Sequence, residues 1–434
     1  MALNPNKPAP ASLLNPKLAA TDRCVMCGMC LPHCPTYGKT RHEADSPRGR
    51  IALMQGLNTG QLAVDEHLLA HLDGCLACRA CESVCPSGVP YGDLIDAVRE
   101  TLAERRPQGP GARLGQQFID SRGLRRVATR ALRFYQVSGL QRLARNSGLL
   151  RAMGLARWEG YLSPARPHAV KGAGAGPTVA LFTGCASEVL DRRTLADAVA
   201  VLAALGYRVD IPPHQGCCGA IDQHAGRVER ARALMARNLA AFDAPYQAII
   251  GTASGCSAVL ADYGRHDETA AGEAFANRVV DVSQFVAEAL ATRVPALAAL
   301  HARVAIHAPC SLTHALKAAA GPRRVLESIP GIELVDLPDN ARCCGAAGSY
   351  MLSQPEMADS LREDKLVHLR ALRPDILVTS NVGCALHLRA GIAAEGLEIE
   401  VLHPISLLAR QMAALHEPAD GTDRTASVPG GRDR

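Results

Sequence analysis

Two stretches of the chain carry the same alternation of short apolar runs and longer Ala/Leu-rich segments. In the first, residues 178–183 (TVALFT) form a β-branched apolar run of strand length. Residues 195–205 space their apolar positions as a helix does, and Gly206 sits where a helix stops. Residues 208–211 predict a second strand closed by Pro212-Pro213, 228–242 a second helix, and 248–252 a third strand. The second stretch repeats this order with 304–307, 325–328, 333–337, 360–372 and 376–379. Strands alternating with helices predict α/β modules on mostly parallel sheets.

Cysteines mark the same duplication. Cys185, Cys217-Cys218-Gly219 and Gly255-Cys256 match Cys310, Cys343-Cys344-Gly345 and Gly383-Cys384, each landmark recurring after a nearly equal step along the chain. Val179-Ala180 lies as far before Cys185 as Val304-Ala305 does before Cys310. This reads as two copies of one module, 178–300 and 301–415. In both, the cysteines follow strands, at the carboxyl edge where open α/β sheets place their sites. Around the modules lie a Pro/Ala/Asn-rich start (1–20, expected to be a flexible arm), a cysteine-rich segment (21–100), an Arg-rich linker (101–177) and a polar tail (416–434, expected to be disordered). Gly172, Gly174 and Gly176 precede a strand and are read as a flexible linker.

Composition narrows the class. At 434 residues and 48% hydrophobic content the chain is globular, with room for two to four domains. A net charge of +5 and 3% aromatics argue against nucleic-acid binding. No apolar run is long enough to span a bilayer, so no membrane-spanning helix is expected, and the start of the chain lacks a signal-peptide core. The expectation is a cytoplasmic protein. There, 16 cysteines point to metal ligands rather than disulfides.

The first eight cysteines have a specific spacing. Cys24-x-x-Cys27-x-x-Cys30-x-x-x-Cys34-Pro35 recurs as Cys75-x-x-Cys78-x-x-Cys81-x-x-x-Cys85-Pro86. This is the bacterial ferredoxin pattern, twice. A cubane 4Fe–4S cluster takes four thiolates, and the cysteine before proline ligates the other cluster. Cys24, Cys27, Cys30 and Cys85 are therefore assigned to cluster 1, and Cys75, Cys78, Cys81 and Cys34 to cluster 2. Zinc is the competing ligand choice for C-x-x-C pairs, but it does not call for triplets with a trailing Cys-Pro. Gly28 and Ala80 keep bulk low near the sulfurs, and Asp45-Ser46-Pro47-Arg48 starts a helix, 51–57, suited to lie between the clusters. The fold class expected is α+β and multidomain: a mainly helical two-cluster ferredoxin-type domain, then two α/β Cys-Cys-Gly modules.

In the modules, Cys185, Cys217, Cys218 and Cys256, and Cys310, Cys343, Cys344 and Cys384, offer four sulfurs each. That suffices for a cluster or a zinc ion, with structural thiols as the alternative. His387, in C-x-x-H spacing after Cys384, could add a ligand; its counterpart is Val259. Clusters exchange single electrons and do not themselves oxidise organic substrates, which needs a group such as flavin. No G-x-G-x-x-G follows a strand and no G-x-x-x-x-G-K-[ST] occurs, so flavin is expected on a partner subunit and no catalytic residue is assigned here.

This architecture resembles a group that includes the iron–sulfur subunit of glycolate oxidase, the cluster subunit of anaerobic glycerol-3-phosphate dehydrogenase and the fused subunits of heterodisulfide reductases. The strings DSPRGRIALMQ (45–55), CLACRACESVCPSGVPYGDL (75–94), TASGCSAVLADYG (252–264), CCGAAGSYMLSQPEMA (343–358) and NVGCALHLRAG (381–391) are similar to the glycolate oxidase subunit, over roughly 20–415. Heterodisulfide reductase modules carry a fifth cysteine, which Val259 and His387 replace here. The resemblance implies an electron-transfer subunit. A flavin partner would oxidise glycolate to glyoxylate, often D-lactate to pyruvate, and electrons would pass through this chain towards quinone. The alternatives are a subunit serving glycerol 3-phosphate or L-lactate, or a heterodisulfide-reductase-like enzyme.

Residues 105–157 hold twelve arginines against one acid, Asp120, with Leu124, Val127, Leu132 and Phe134 interleaved. Such a stretch can lie on an anionic membrane, can dock an acidic partner, or can be a solvated helical linker. Peripheral attachment to the inner membrane would suit delivery to quinone.

Overall fold

The computed structural model describes residues 15–103, 110–148, 150, 153, 156–162, 169–267 and 269–414. The expected tail, and the part of the expected arm that precedes Asn15, lie outside them. The rest of the arm departs from expectation. Pro16–Arg23 is a 3-10 helix, begun by the Asn15 side chain accepting from the Lys17 N–H. Leu18 is fully buried and Asn15 donates to the Thr101 hydroxyl at 2.9 Å. A single apolar residue and one asparagine tie this segment down, too few to register as a pattern.

The cysteine-rich segment is helical, with helices Pro35–Thr40, Pro47–Asn58, Glu66–Asp73, Ala80–Ser83 and Tyr91–Leu102. Pro47 opens its helix and the Ser46 hydroxyl accepts the Gly49 N–H at 2.9 Å, the N-cap expected from the sequence. Ile51, Met54 and Leu57 then pack with Leu72, Leu94 and Val98 into one apolar core.

Each module carries a small parallel sheet. Strands β1 (Thr178–Phe182), β2 (Arg208–Asp210), β3 (Ile249–Gly251) and β4 (Val279–Asp281) lie in the order β2-β1-β3-β4. Strands β5 (Arg303–His307), β6 (Glu333–Asp336), β7 (Ile376–Thr379) and β8 (Glu400–Leu402) lie in the order β6-β5-β7-β8. The register repeats too: Ala180 pairs with Ile249 as Ala305 pairs with Leu377. The duplication in the cysteines is thus a duplication of topology. Helices cover the sheets, so β1, β3, β5 and β7 are almost wholly buried.

Several local expectations are corrected. β4 and β8, three residues each, add an edge strand to each sheet beyond those the sequence pattern predicts. The element expected over 325–328 is the helix Ala320–Leu326, its first turn disguised by Gly321-Pro322; Pro322 is tolerated there because early helical N–H groups have no helical partner. The glycine run is not a loose linker. Ala173 bridges to Val209, and a Cβ on Gly172, Gly174 or Gly176 would sit 2.4, 2.1 or 2.3 Å from the carbonyl oxygen of Val209, Tyr207 or Gly206. Only glycine allows the chain to lie this close against β2.

The modules share one apolar core. Val179, Leu181 and Val286 of the first pack in the same cluster as Val304, Val378 and Leu407 of the second. The Arg192–Ala204 helix meets Pro404–Ala413, and Val282–Leu290 meets Ala320–Leu326.

Candidate metal centre

None of the sixteen cysteines is in a disulfide. The two triplets sit in loops with the same unusual backbone. Met26 (φ 57°) and Gly28 (φ 83°) in the first match Ala77 (φ 51°) and Arg79 (φ 59°) in the second. Left-handed conformations at non-glycine residues cost on the order of 1–3 kcal/mol each and persist where the fold over-determines them. Here they curl both loops the same way.

The second triplet meets a cysteine from the first run. Cys34, Cys75, Cys78 and Cys81 line one small cavity together with Arg50 and Tyr91. The Tyr91 hydroxyl approaches the Cys75 Sγ at 3.6 Å, and the Ala77 N–H points at the same sulfur at 3.4 Å. Burial pushes the Cys78 and Cys81 thiols well up. Thiols so placed ionise when a metal takes the proton's place. Four soft donors on a wrapped backbone fit an iron–sulfur cluster. The first triplet is more open. Cys27 is exposed, Cys24 and Cys30 are half-buried, and Cys85 packs on the same core as Cys24 and Cys30.

Arg50 was not foreseen. It is fully buried, donates to the His71 carbonyl at 2.7 Å and the Thr36 hydroxyl at 3.1 Å, and leaves Nη2 without a hydrogen bond. Burial disfavours its charge, but Tyr91, Cys75, Cys34 and Asp45 outweigh this and hold its pKa above the usual value. It sits on the 47–58 helix, which also sends Arg48 to the Met26 carbonyl at 3.0 Å. That one helix therefore touches both cysteine loops. His42, Asp45 and His71 bring three potential ligands together, but Asp45 already serves His71 at 2.9 Å and Arg50 at 3.6 Å.

Each module gathers its four cysteines at the carboxyl edge of its sheet. Cys185 and Cys310 follow β1 and β5, the Cys-Cys pairs follow β2 and β6, and Cys256 and Cys384 lie in helices Ser254–Ala261 and Val382–Ala394. In the first, the Cys185 and Cys217 sulfurs are 3.4 Å apart. Hydrogen bonds from Cys185 and Cys218, then the Gly219 N–H and Arg125, pull the Cys217 thiol well down despite burial. In the second, hydrogen bonds from Cys343 and Cys384, and then His307, pull Cys344 well down. Four gathered thiols fit a metal or cluster. His387 is buried with Nε2 on the Ala358 carbonyl at 3.1 Å; Nε2 therefore carries the proton, and Nδ1 is left without a hydrogen bond.

The four cysteine groups are neighbours. Cys78 feels the charge of Cys310, and Leu76 and Cys78 share an apolar cluster with Cys343, Cys344 and Cys384. Cys256 packs on the same cluster, and the Ser254 and Ser311 hydroxyls meet at 2.8 Å across the module boundary.

Comparison with known proteins agrees segment by segment. Residues 20–89 match a 4Fe-4S dicluster domain, 116–162 the linker region of the glycolate oxidase iron-sulfur subunit, and 179–261 and 304–389 each a cysteine-rich domain. The chain is 33% identical over 416 residues to the probable glycolate oxidase iron-sulfur subunit of Bacillus subtilis, covering 89% of this chain and 92% of that protein. It is 35% identical over 377 residues to the glycolate oxidase iron-sulfur subunit of Escherichia coli, covering 84% and 89%. It is 27% identical over 405 residues to a subunit of the fumarate reductase (CoM/CoB) of Methanothermobacter marburgensis, covering 89% and 71%. With two relatives, at 33% and 35% identity, matched over most of their length, and the same order of domains, the chain belongs to the glycolate oxidase iron-sulfur subunit family.

Proposed function

We propose that this chain carries electrons from a flavin subunit that oxidises glycolate to glyoxylate, with D-lactate as a second substrate, towards quinone. Bound 4Fe–4S clusters supply one-electron exchange without moving atoms. Family membership over most of the chain carries this reading over the glycerol 3-phosphate, L-lactate and disulfide-reductase alternatives. The crossed ligand sets, Cys24, Cys27, Cys30 and Cys85 with Cys75, Cys78, Cys81 and Cys34, draw support from the cavity in which Cys34 joins the second triplet.

The chain's own residues suit this work. The first triplet's loop presents Val25, Met26 and Met29, 68%, 41% and 55% exposed, around the exposed Cys27. An apolar rim at an open cysteine loop suits a docking flavin subunit, which would exclude water there. Arg50 fixes a positive charge beside Cys34 and Cys75, where an added electron would otherwise be disfavoured.

The linker helix Arg122–Val137 suits peripheral attachment to the cytoplasmic face of the inner membrane. Leu124, Val127, Phe134 and Val137 make an exposed stripe at helical spacing, with Arg126, Arg130 and Arg133 exposed around it. Its arginines also line a cleft of about 1450 Å³ together with Arg192, Arg389 and Arg410, which suits an acidic segment of a partner. No described helix is long and apolar enough to cross a membrane.

The test is anaerobic affinity purification at native expression, assaying the eluate for flavin and for dye reduction with glycolate, D-lactate, L-lactate and glycerol 3-phosphate. Co-purified flavin with glycolate-dependent activity is expected. Activity with glycerol 3-phosphate alone would overturn the substrate.

A further inference from the structure

Four of the linker's arginines recur at a helical interval. Arg122, Arg126, Arg130 and Arg133 lie four, four and three residues apart in the helix Arg122–Val137, and all line the cleft of about 1450 Å³. That spacing keeps them on one face. None of the stripe residues Leu124, Val127, Phe134 and Val137 borders the cleft. The helix therefore has two separate faces, an apolar one exposed to solvent and a cationic one on the cleft.

The positive charge in the cleft is not balanced from within. Arg192, Arg193, Arg389 and Arg410 line it as well, against three acids, Glu188, Asp191 and Glu400. Each of these acids is already engaged. Glu400 pairs with Arg410 at 2.7 Å, and Glu188 with Arg125, which does not line the cleft, at 2.9 Å. Asp191 accepts from the Thr194 hydroxyl at 2.8 Å and faces the charge of Arg389. Among the described residues Arg126, Arg130 and Arg133 have no ion pair. Arg122 is crowded: burial, and then the charges of Arg237, Arg125 and Arg126, pull its pKa below the usual value in spite of Glu188. Like charges held together repel until an anion joins them, and a cleft focuses their field.

The spacing of the arginines fixes the form of that anion. A helix rises 1.5 Å per residue, so the four step along by about 6, 6 and 4.5 Å, about 16 Å in all. In an extended chain the side chains on one side recur every second residue, at about 6.7 Å. Carboxylates at alternate positions of an extended segment therefore fall into step with the guanidinium groups, each of which can grip a carboxylate through two parallel hydrogen bonds. The intervening side chains of such a segment need apolar surface, and Leu132, Val170, Leu190, Ile211 and Leu402 supply it in the same cleft. A compact anion would reach one or two of the arginines and leave that apolar lining unused. The cleft also lies beside both modules' cysteines: Thr183, Gln215 and Ala385 line it and stand within two residues of Cys185, Cys217 and Cys384.

We propose that this cleft seats an extended segment of the flavin partner in which acidic and apolar residues alternate, with Arg122, Arg126, Arg130 and Arg133 setting its register. The proposal rests on the reading of the chain as the iron–sulfur subunit of a flavin partner. Arg122 also ties the helix to the first module by donating to the Gln215 carbonyl at 2.5 Å, so the test leaves it in place and changes Arg126 and Arg130, both exposed.

The experiment uses the full chain, purified anaerobically with its partners, and two labelled probe peptides. In one, Glu and Val alternate; the other has the same composition with its Glu residues in one block. By fluorescence anisotropy at neutral pH the alternating peptide should bind at least about tenfold more tightly than the block peptide, and lose that binding as salt rises. Arg126→Glu combined with Arg130→Glu should weaken it at least about tenfold and cost the purified complex most of its flavin. Arg126→Lys combined with Arg130→Lys keeps the charges and should keep the flavin. Equal binding of the two peptides, or flavin fully retained by the Glu variant, overturns the proposal. So does a Glu variant that keeps its flavin and loses only flotation with anionic vesicles, which would assign the arginines to a membrane. A parent chain that carries no flavin would instead overturn the reading beneath the proposal, and the peptides would still test the cleft.

Discussion

The Tyr350 hydroxyl donates to the carbonyl oxygen of Gly74 at 3.1 Å, which joins the second module to the residue just before Cys75. Tyr350 begins the short helix Tyr350–Ser353, six residues after Cys344, and is almost buried. The same turn of chain therefore links the cysteines of the second module to the loop of the second triplet. Tyr350→Phe keeps the ring and removes the bond, leaving a carbonyl without its partner. A loss of about 1 kcal/mol is expected in denaturant unfolding, with faster hydrogen exchange confined to 72–81. Unchanged exchange there would show that the contact carries no load.

The crossed assignment predicts different losses from two cysteines. Cys30→Ala should cost one cluster, about four irons, and spare the signal that depends on Cys34. Cys34→Ala should cost the other cluster, although it lies four residues from Cys30 in sequence. Iron counting with electron paramagnetic resonance distinguishes them. Loss of the same signal in both variants would contradict the crossing.

Membrane docking by the linker predicts that Val127→Glu and Phe134→Glu weaken binding to vesicles containing anionic lipid. Burying one such side chain is worth roughly 1.5–3 kcal/mol, so each change should weaken binding at least about tenfold. Both residues are well exposed, so folding should be unaffected. Co-flotation with vesicles measures it, and equal flotation of variant and parent would remove this face from the account.

Asp281 predicts a pH dependence. Its carboxyl accepts the Ser283 N–H at 2.9 Å, yet Oδ2 is buried without a partner, and burial pushes the pKa up to about 7 from 3.8. Between these values the folded protein holds a proton that the unfolded chain has released. Stability therefore falls as pH rises through the window from about 4 to 7, by roughly 4 kcal/mol in all. Asp281→Asn should flatten the dependence and make the protein more stable than the parent at pH 8. Denaturant midpoints at pH 5 and pH 8 measure it; parallel curves for parent and variant would contradict it.

The sites were more legible in the sequence than their surroundings. Cysteine spacing is local and set by ligand geometry, so the runs 24–34 and 75–85 and the step from one module to the next could be read directly. The parallel sheets followed from apolar runs such as 178–183 and 376–379. What escaped depends on tertiary contact. β4 and β8 are three-residue strands that exist only by pairing with β3 and β7. Gly172, Gly174 and Gly176 look like a flexible tract until β2 lies against them. Arg50 looks like an ordinary surface cation in sequence, and only the fold puts it beside thiols.

Electrons leaving glycolate are expected to reach the cysteines of this chain. The direct measurement is freeze-quench electron paramagnetic resonance on the purified complex, mixed anaerobically with glycolate and no other reductant. Reduced-cluster signals assigned by the Cys30 and Cys34 variants should appear within one turnover of the complex. Full bleaching of the flavin while those clusters stay oxidised would contradict it.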